Sequence, residues 1–291
     1  MTPRVLVTGA LGNVGQEVVR ACLSAGFVVR AAGAPSKVHA RWPTSEAVEF
    51  DFTNRATWAA ALDAVDFVFL LRPPPLGDMS TTLNPFVDAA YEAKVKHVVF
   101  LSVAGAETKT WVPHRKVEDH LKATGTAWTI LRPGFFAQNL GDAYLRDLVE
   151  DDRLFVPAAQ GRVAFLDVVD VGDVVAKLLE RPAAHRGQAY RLAGPEAVTF
   201  GQLATQLSAA LGRRINYRPA SIASYVWHLW RHRRLPLMQV IVQTVLHVGL
   251  RSGDAEAVDD VQRSLLGREA TPLSSYLGRS TQRWTRAPQS A

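Results

Sequence analysis

The glycine-rich segment near the start of the chain limits its fold more than any other stretch. An apolar run at 5–7 leads directly into Gly9, Gly12 and Gly15, and an apolar-periodic stretch at 17–23 follows at once. Strand, glycine turn and helix in this order open a dinucleotide-binding βαβ unit. Gly9 permits the tight turn, Gly12 lets backbone amides approach a pyrophosphate, and Gly15 lets the helix pack closely on the strand. The segment therefore predicts a dinucleotide site.

Strands and helices alternate from this segment to about residue 135. Apolar runs predict further strands at 26–32, 48–52, 67–71, 97–102 and 128–133, and helices are expected at 57–62, 82–93 and 114–124. The run at 67–71 is apolar throughout, as in a strand that is buried on both faces. This alternation predicts an α/β fold with a doubly wound parallel sheet, a Rossmann fold.

The pattern loosens beyond residue 135, so we predict two parts. Residues 1–135 form the core of the dinucleotide-binding domain, and residues 136–291 form a smaller, mostly helical C-terminal substrate lobe. Residues 163–192 are expected to return strands and a helix to the main sheet, with a strand at 165–169, a helix at 171–179 and a strand at 187–192. An amphipathic helix at 200–211 ends at Gly212. We expect the substrate to bind in the cleft between the two parts.

Composition excludes several classes of protein. Hydrophobic residues make up 48% of the 291 residues and charged residues 21%, which is ordinary for a globular protein. Cys22 is the single cysteine, so no internal disulfide can form and we expect a reducing, cytoplasmic setting. No charged and then apolar leader precedes the first strand. The longest apolar run, 235–250, is short and interrupted by polar residues, which predicts a buried or groove-facing helix and no membrane partner.

The net charge of +6 has its origin in one segment. No acidic residue lies between Glu196 and Asp254, where seven arginines occur: Arg213, Arg214, Arg218, Arg231, Arg233, Arg234 and Arg251. Such a segment could meet an anionic partner. We favour a solvated face instead, because no nucleic-acid-binding motif accompanies the charge. The sequence therefore disfavours nucleic acid as a partner.

The ends of the second, third and fourth strands bear on the cofactor. An acid after the second strand would hold the ribose 2′-hydroxyl of NAD, whereas a basic residue would accept the 2′-phosphate of NADP. Residues 33–37 contain no acid, and Lys37 could bind a phosphate, so NADP is favoured over NAD; a solvent-facing lysine is the alternative. Asp51 could accept a hydrogen bond from the adenine amino group or cap a helix. Arg72 opens a loop, 72–75, that lies over the cofactor in this topology.

Together these segments resemble the NmrA-like group of atypical short-chain dehydrogenases/reductases. The resemblance rests on residues 7–15, 69–71, 101–106, 114–118 and 129–133, with Asn139, and covers about residues 1–215 well. It implies an NAD(P)-binding protein that is either a reductase of quinones, dyes and related conjugated compounds or a redox-sensing regulator without turnover. The implied cofactor contacts lie at the glycine turn and at the following strand ends: Thr8, Gly9, Leu11, Gly12, Asn13, Val14, Gly15, Lys37, Asp51, Phe52, Leu71, Arg72, Ser102 and Lys116.

Part of the catalytic signature of the wider superfamily is missing. That signature is a tyrosine with a lysine four residues later, and Lys116 falls at the lysine position while Val112 stands in place of the tyrosine. A conjugated acceptor needs less local acid, because charge spreads into the conjugated system and water can supply the proton later. We therefore predict hydride transfer to a quinone-like or other conjugated carbonyl compound. Lys116 would hold the nicotinamide ribose and His114 would replace the proton donor; an exposed helix face is the alternative for both.

Substrate contacts are expected from flat side chains and from residues that follow the sixth strand: Trp111, Pro133, Phe135, Phe136 and Asn139. The three aromatic residues could equally be core residues. We predict no metal site. His228 and His232 lie one helical turn apart, but no neighbouring carboxylate or cysteine completes a ligand set. Asp167, Asp170 and Asp173 are expected to act as helix caps and first-turn acids.

The sequence thus leaves two hypotheses. The leading one is an NAD(P)H-dependent reductase with a small-molecule substrate, because a long aromatic and apolar lobe is more than nucleotide sensing requires. The alternative is a non-catalytic NAD(P)-sensing regulator that passes its state to a protein partner. A protein partner or a homodimer is compatible with either hypothesis.

Overall fold

The structure is a computed structural model that describes residues 2–258 and 260–285. The strands are β1 (Arg4–Val7), β2 (Val28–Ala32), β3 (Glu46–Val48), β4 (Phe67–Leu71), β5 (His97–Leu101), β6 (Trp128–Pro133), β7 (Arg153–Leu154), β8 (Arg162–Ala164), β9 (Gln188–Leu192), β10 (Ala197–Thr199) and β11 (Asn216–Tyr217). The helices are α1 (Asn13–Ser24), α2 (Pro35–Arg41), α3 (Trp58–Leu62), α4 (Leu83–Glu92), α5 (Pro113–Ala123), α6 (Leu145–Glu150), α7 (Val168–Glu180), α8 (Phe200–Leu211), α9 (Ile222–Trp227), α10 (Leu237–Gly249), α11 (Val261–Leu266) and α12 (Leu273–Ser280).

These elements form two compact units. The first unit comprises Met1–Pro133, Val168–Leu192 and Asp260–Glu269. The second comprises Gly134–Asp167, Ala193–Asp259 and Ala270–Ala291. Helix α7 and strand β9 thus belong to the first unit, although the chain enters the second unit before it reaches them.

The first unit contains a parallel sheet of seven strands in the order β3-β2-β1-β4-β5-β6-β9. The order reverses beside β1, and in sheets of this kind ligands bind at the carboxyl ends of the strands at such a switch point. Strand β1 pairs with both β2 and β4, which places the following glycine loop at this point. The predicted Rossmann-type α/β fold is therefore confirmed.

Helices cover the sheet because its strands are apolar on both faces. On one face, Leu6, Leu70 and Phe100 pack with residues of α3, α4 and α5 in one buried cluster. Helices α1 and α7 pack closely against each other at Gly172, where a Cβ atom would lie 2.4 Å from the carbonyl oxygen of Glu17. Arg20 adds an ion pair to Asp173 across the same helix pair, at 2.7 Å.

The second unit has its own core of buried apolar side chains, which includes Phe165, Phe200 and Trp284. Strand β8 pairs antiparallel with β10, and β7 pairs parallel with β11. Helix α8 begins with a capping box between Thr199 and Gln202 and ends at Gly212, which has a φ of +62°. A π-helix at His228–His232 continues α9.

Two predicted strands were wrong, and helix α2 was not predicted. The third strand is β3 at Glu46–Val48 rather than 48–52, because Phe50 and Phe52 pack edge-to-face with Phe86 instead of extending the ladder. Helix α2 begins at Pro35, since the first position of a helix favours proline.

The strand predicted at 165–169 is likewise wrong, since α7 already begins at Val168. Of residues 163–192, only α7 and β9 join the first unit, whereas β8 lies in a separate sheet with β10. Among the described residues, no helix has the length and hydropathy needed to cross a membrane.

Candidate functional site

The turn between β1 and α1 owes its shape to two of its glycines. Gly9 has a φ of +66°, a conformation that side chains disfavour, and its carbonyl accepts a hydrogen bond from the Gly12 amide at 2.9 Å. A Cβ atom on Gly15 would lie 2.0 Å from the same carbonyl oxygen. Gly9 is thus required by backbone conformation and Gly15 by close packing of α1 on the turn.

Gly12 differs from these two glycines, because the protein itself leaves room there. A Cβ atom would meet only the Gly9 oxygen, at 3.4 Å, and the backbone is extended with a φ of −84°. Gly12 is also the N-cap residue of α1 and has no side chain to cap it. Helix N-termini expose amide hydrogens that bind anions. The open space and the uncapped helix together suit a phosphate group beside Asn13 and Val14.

Neighbouring residues of the turn contribute in different ways. The Thr8 hydroxyl is buried and joins β1 to β4, since it donates to the Phe69 carbonyl at 3.0 Å and accepts from the Leu71 amide at 2.8 Å. Its side chain is therefore already engaged within the sheet. Leu11 is 39% exposed at the tip of the turn. A Cβ atom at Gly9 would lie 3.1 Å from Leu71, so Leu71 packs beneath the turn.

The end of β2 carries no free carboxylate. Lys37 is exposed on α2, and the first acid after β2 is Glu46, which forms ion pairs with Arg4 at 3.0 Å and Arg30 at 2.9 Å. Those pairs keep the Glu46 carboxylate at the strands. Lys37 is the first charged residue after β2.

Asp51 and Phe52 lie on the loop after β3. The Asp51 carboxylate accepts hydrogen bonds from the amide and hydroxyl of Thr53, both at 2.8 Å, so it stabilises its own turn. Asn54, not Asp51, caps the following 3-10 turn through the Ala56 amide. Phe52 is buried, and its ring packs edge-to-face on Phe86 at 5.4 Å.

Arg72 and His114 form a contact at the carboxyl end of β4. The guanidinium of Arg72 donates to the carbonyls of Pro73, Pro74 and Leu76, and its Nε donates to His114 Nε2 at 3.3 Å. The His114 proton therefore resides on Nδ1, which is buried and has no hydrogen-bond partner among the described residues. Burial, and then the Arg72 charge, lower the pKa of His114 to about 4.

A neutral imidazole follows from this arrangement at physiological pH. The predicted role of His114 as a proton donor would therefore be filled by the neutral Nδ1–H. Its Nδ1–H has no hydrogen-bond acceptor among the described residues. Leaving a buried donor without an acceptor lowers the free energy of unfolding by roughly 1–3 kcal/mol. The site can thus offer a hydrogen bond, rather than a proton, to an oxygen atom of a ligand.

A buried carboxylate on α5 ties together the ends of β5 and β6. Glu118 is fully buried and accepts hydrogen bonds from Ser102 Oγ at 2.6 Å and from Arg132 Nη2 at 2.6 Å. Burial works to raise the pKa of Glu118, but the hydrogen bonds from Arg132 and Ser102 prevail and hold it below its usual value. The Ser102 hydroxyl is consequently fixed within the protein.

The sequence analysis missed Glu118 and Arg132 as parts of this network. Both residues lie in segments that carry the family resemblance, 114–118 and 129–133. Their partners are 14 to 16 residues away on other elements, so no local spacing identifies them. A further sequence sign was the charged residue within the apolar run of β6.

The remaining predicted residues of the first unit lie on or beside α5. Lys116 is exposed on the first turns of this helix, and Val112, at the superfamily tyrosine position, is its N-cap residue. Trp111 is 70% exposed, so it is not a core residue. Pro133 is buried at the end of β6.

The other predicted substrate residues belong to the second unit. Phe135 contacts Phe165 and His247 edge-to-face, with ring centroids 5.8 and 5.7 Å apart. Phe136 forms a bridge with Leu166, and Asn139 lies on a 3-10 turn at Ala137–Gly141. Phe135 is thus only partly buried against the core of this unit.

Side chains with metal-binding potential are engaged in ion pairs. Asp147 contacts His228 Nε2 at 3.0 Å and Arg233 Nη2 at 2.6 Å within the second unit. In the first unit, Arg268 Nη2 contacts both Asp170, at 2.8 Å, and Asp173, at 2.6 Å. No group of three or more histidine, cysteine or acidic residues arranged to hold a metal occurs in residues 2–258 and 260–285.

The arginine-rich segment is partly neutralised by acids that precede it in the sequence. Arg233 pairs with Asp147, Glu150 and Asp151, and Arg213 pairs with Asp152. The other five arginines, Arg214, Arg218, Arg231, Arg234 and Arg251, are exposed. Most of the charge of the segment is therefore presented to solvent.

Known proteins resemble this chain along most of its length. An NAD(P)H azoreductase of Xenophilus azovorans is 33% identical over 225 residues, which cover 73% of this chain and 76% of the azoreductase. The structure of an NADPH complex of quinone oxidoreductase QOR2 from Escherichia coli superposes with a TM-score of 0.84 at 24% identity and covers 94% of this chain and 99% of that one.

A triphenylmethane reductase of Citrobacter sp. also has a TM-score of 0.84, at 21% identity over 96% of this chain and 99% of the reductase. At these identities the two structures establish the shared fold. The model of the NmrA-like family matches residues 1–273, and the chain therefore belongs to the NmrA-like family.

Proposed function

We propose that this protein is an NAD(P)H-dependent reductase that transfers hydride to a quinone-like or other conjugated carbonyl acceptor. The observation that carries the proposal is the turn between β1 and α1. Gly9 is required by its backbone conformation and Gly15 by the close packing of α1, whereas neither conformation nor packing within the protein requires a glycine at position 12. A pyrophosphate at the uncapped N-terminus of α1 accounts for that glycine.

NADPH is the preferred cofactor in this proposal. Glu46, the first acid after β2, is engaged by Arg4 and Arg30, so no carboxylate is free to hold a ribose 2′-hydroxyl. Lys37 is exposed and available to a 2′-phosphate. The azoreductase is named for NAD(P)H, and the QOR2 structure holds NADPH, which supports the same choice.

The proton and hydrogen-bond donors around α5 determine the proposed class of hydride acceptor. The bound cofactor supplies a hydride. His114 Nδ1–H donates a hydrogen bond to the acceptor oxygen as negative charge develops there, and a neutral imidazole with a lowered pKa suits that role. Val112 offers no phenol, so the final proton comes from water. Because water delivers this proton after the hydride has been transferred, the acceptor must delocalise the negative charge in the meantime, as a conjugated carbonyl compound does.

Lys116 has a positioning role in the proposal. It is exposed one helical turn from the N-terminus of α5, where it can hold the hydroxyls of the nicotinamide ribose. The relatives named for azo compounds, quinones and triphenylmethane dyes all act on conjugated acceptors by their names, which supports the proposed acceptor class.

The test is an oxidation assay with purified protein, NADPH or NADH, and a panel of small quinones. We expect turnover that is faster with NADPH, is reduced at least tenfold by Gly12→Ala, and loses its NADPH preference in Lys37→Ala. His114→Phe should lower kcat at least tenfold. His120→Gln serves as its matched control, because His120 lies on the same helix but is paired with Asp88 at 2.7 Å.

Tight NADPH binding without turnover of any acceptor would contradict the proposal. That result would favour the alternative hypothesis of an NAD(P)-sensing regulator, whose affinity for the nucleotide must change when its protein partner binds.

A further inference from the structure

Helix α10 exposes apolar side chains and buries polar ones, the reverse of an ordinary surface helix. Val240 is buried, but six other apolar side chains face solvent, with exposures from 47% to 69%: Leu237, Met238, Ile241, Val242, Val245 and Leu246. Its polar Thr244 and His247 are buried instead. We call the six exposed side chains the α10 face. Most large apolar side chains that are exposed in the described part of the chain lie between residues 222 and 246.

Contacts from outside the helix hold α10 in this orientation within the second unit. Thr244 Oγ1 and His247 Nδ1 donate to the carbonyls of Val240 and Gln243 in the helix itself, at 2.7 and 2.6 Å. Tyr144 donates to His247 Nε2 from another element, and Phe135 contacts the same imidazole edge-to-face at 5.7 Å. Val240 packs in the core of the unit beside them, so the α10 face is held outward.

Two tryptophans extend this exposed surface along the chain. Trp227 and Trp230 are 53% and 55% exposed and contact each other edge-to-face at 5.7 Å. They lie at the junction of α9 with the π-helix, and a hydrogen bond from the Leu235 amide to the Leu229 carbonyl, at 3.1 Å, joins the π-helix to the segment that leads into α10. Tryptophan is enriched where membranes meet water, because its ring combines an apolar body with a polar N–H.

The charge beside the α10 face selects its partner. Arg231 and Arg234 are exposed just before α10, and residues 197–253 contain no acid. In a two-fold dimer the same arginine-rich segments would oppose each other, and like charges disfavour that contact. Anionic phospholipids complement the arginines and accept apolar side chains below the headgroups.

We propose that the α10 face, with Trp227 and Trp230, docks on the surface of a bilayer that contains anionic phospholipids. The helix of 13 residues is about 20 Å long and lies in the plane of the interface rather than across the membrane. This proposal departs from the expectation of no membrane partner, which rested on an apolar run too short and interrupted to span a membrane and on a solvated arginine-rich segment. It is independent of the proposed reductase function, because vesicle binding needs no turnover.

The experiment is vesicle co-sedimentation of the full chain, with phosphatidylcholine vesicles that contain or lack phosphatidylglycerol, together with tryptophan fluorescence. We expect binding to the anionic vesicles only, a blue shift of the emission, and loss of binding at high salt. Ile241→Glu with Val245→Glu should abolish binding. Arg231→Gln with Arg234→Gln should weaken it roughly thirtyfold, the loss expected for two charges near an anionic surface.

Matched controls separate these effects from misfolding. Val258→Glu places a charge at a residue exposed to 46%, close to the 47% of Ile241, but outside the α10 face. Arg181→Gln with Arg186→Gln removes two exposed arginines of the first unit. Both controls should bind vesicles as the wild type does, and every variant should retain its thermal midpoint.

Three results would overturn the proposal. They are equal binding to vesicles with and without phosphatidylglycerol, no binding to either, and equal loss of binding in the control variants. The protein could instead fail to bind vesicles and form a concentration-dependent dimer that Ile241→Glu dissociates. That result would assign the α10 face to a second copy of the chain.

Discussion

The glycine turn of the first unit leaves polar backbone groups exposed, whereas helix α10 of the second unit buries polar side chains. At the turn, apolar side chains point into the sheet and backbone amides remain for a ligand at Gly12. In α10, Thr244 and His247 turn inward to protein acceptors while apolar side chains point outward. The difference shows that a backbone-built site leaves a glycine pattern in the sequence, whereas a surface built by inversion of a helix leaves none.

The largest expected effect tests whether the turn is set by packing. Gly15→Ala places a Cβ atom 2.0 Å from the Gly9 oxygen, and a backbone atom cannot yield as a flexible side chain does. We expect loss of more than about 3 kcal/mol in the free energy of unfolding, or no folded protein, because overpacking at a rigid contact displaces the helix. Urea unfolding measures the loss. A stable Gly15→Ala variant would show that α1 can move away from the turn.

The next effect concerns the buried carboxylate beside the turn's sheet. Glu118→Ala leaves the Arg132 guanidinium without its principal partner, and breaking a buried ion pair costs roughly 3–5 kcal/mol. The variant should unfold at lower urea concentration by that amount. Glu107→Ala is the control, since Glu107 contacts Arg132 only at 3.5 Å and is 43% exposed, and it should change stability by less than about 0.5 kcal/mol.

A third effect, on the order of 2 kcal/mol per residue, comes from buried histidines in both units. Burial is the principal cause that lowers the pKa of His97 in the first unit and of His247 in the second to about 4. The unfolded chain takes up these protons near pH 6.5, before the folded protein does. Their contribution is therefore complete above pH 6.5 and is lost as the pH falls towards 4.

Thermal or urea unfolding between pH 7 and pH 4.5 measures this loss. His97→Gln and His247→Gln should each flatten the dependence of stability on pH. Wild-type stability that does not fall in this range would contradict the burial of neutral histidines in either unit.

The smallest effect contrasts two glycines. Gly278 on α12 has open space where a Cβ atom would lie and a helical conformation that alanine accepts. Gly278→Ala should stabilise the protein by roughly 0.5–1 kcal/mol through reduced freedom of the unfolded chain. Calorimetry measures the shift. A destabilised variant would mean that Gly278, like Gly15, is needed by its surroundings.

Much of the first unit could be predicted from the sequence, because the central strands are mostly apolar runs, as in β4, and the glycine turn has a fixed spacing. The segment around β3 misled the prediction, since Phe50 and Phe52 follow the alternation of a strand but pack as an aromatic cluster. Helix α2 was missed although Pro35 marks its first turn.

Features that depend on distant partners could not be predicted. Glu118 looks like an ordinary helix-surface acid until Ser102 and Arg132 are brought beside it by the sheet. The apolar run at 235–250 predicted a buried or groove-facing helix, whereas six apolar side chains of α10 are exposed. Which side of the helix faces solvent depends on Tyr144, more than a hundred residues earlier. Sequence spacing carries no information on such contacts.

The measurement that tests the central claim most directly is the dissociation constant of NADPH for the wild type and for Gly12→Ala. The protein has room for the added methyl group, so the thermal midpoint without nucleotide should remain the same. A bound pyrophosphate would be pushed from the amides of α1, and we expect affinity to fall at least tenfold. Unchanged NADPH affinity in a folded Gly12→Ala variant would contradict a dinucleotide site at this turn.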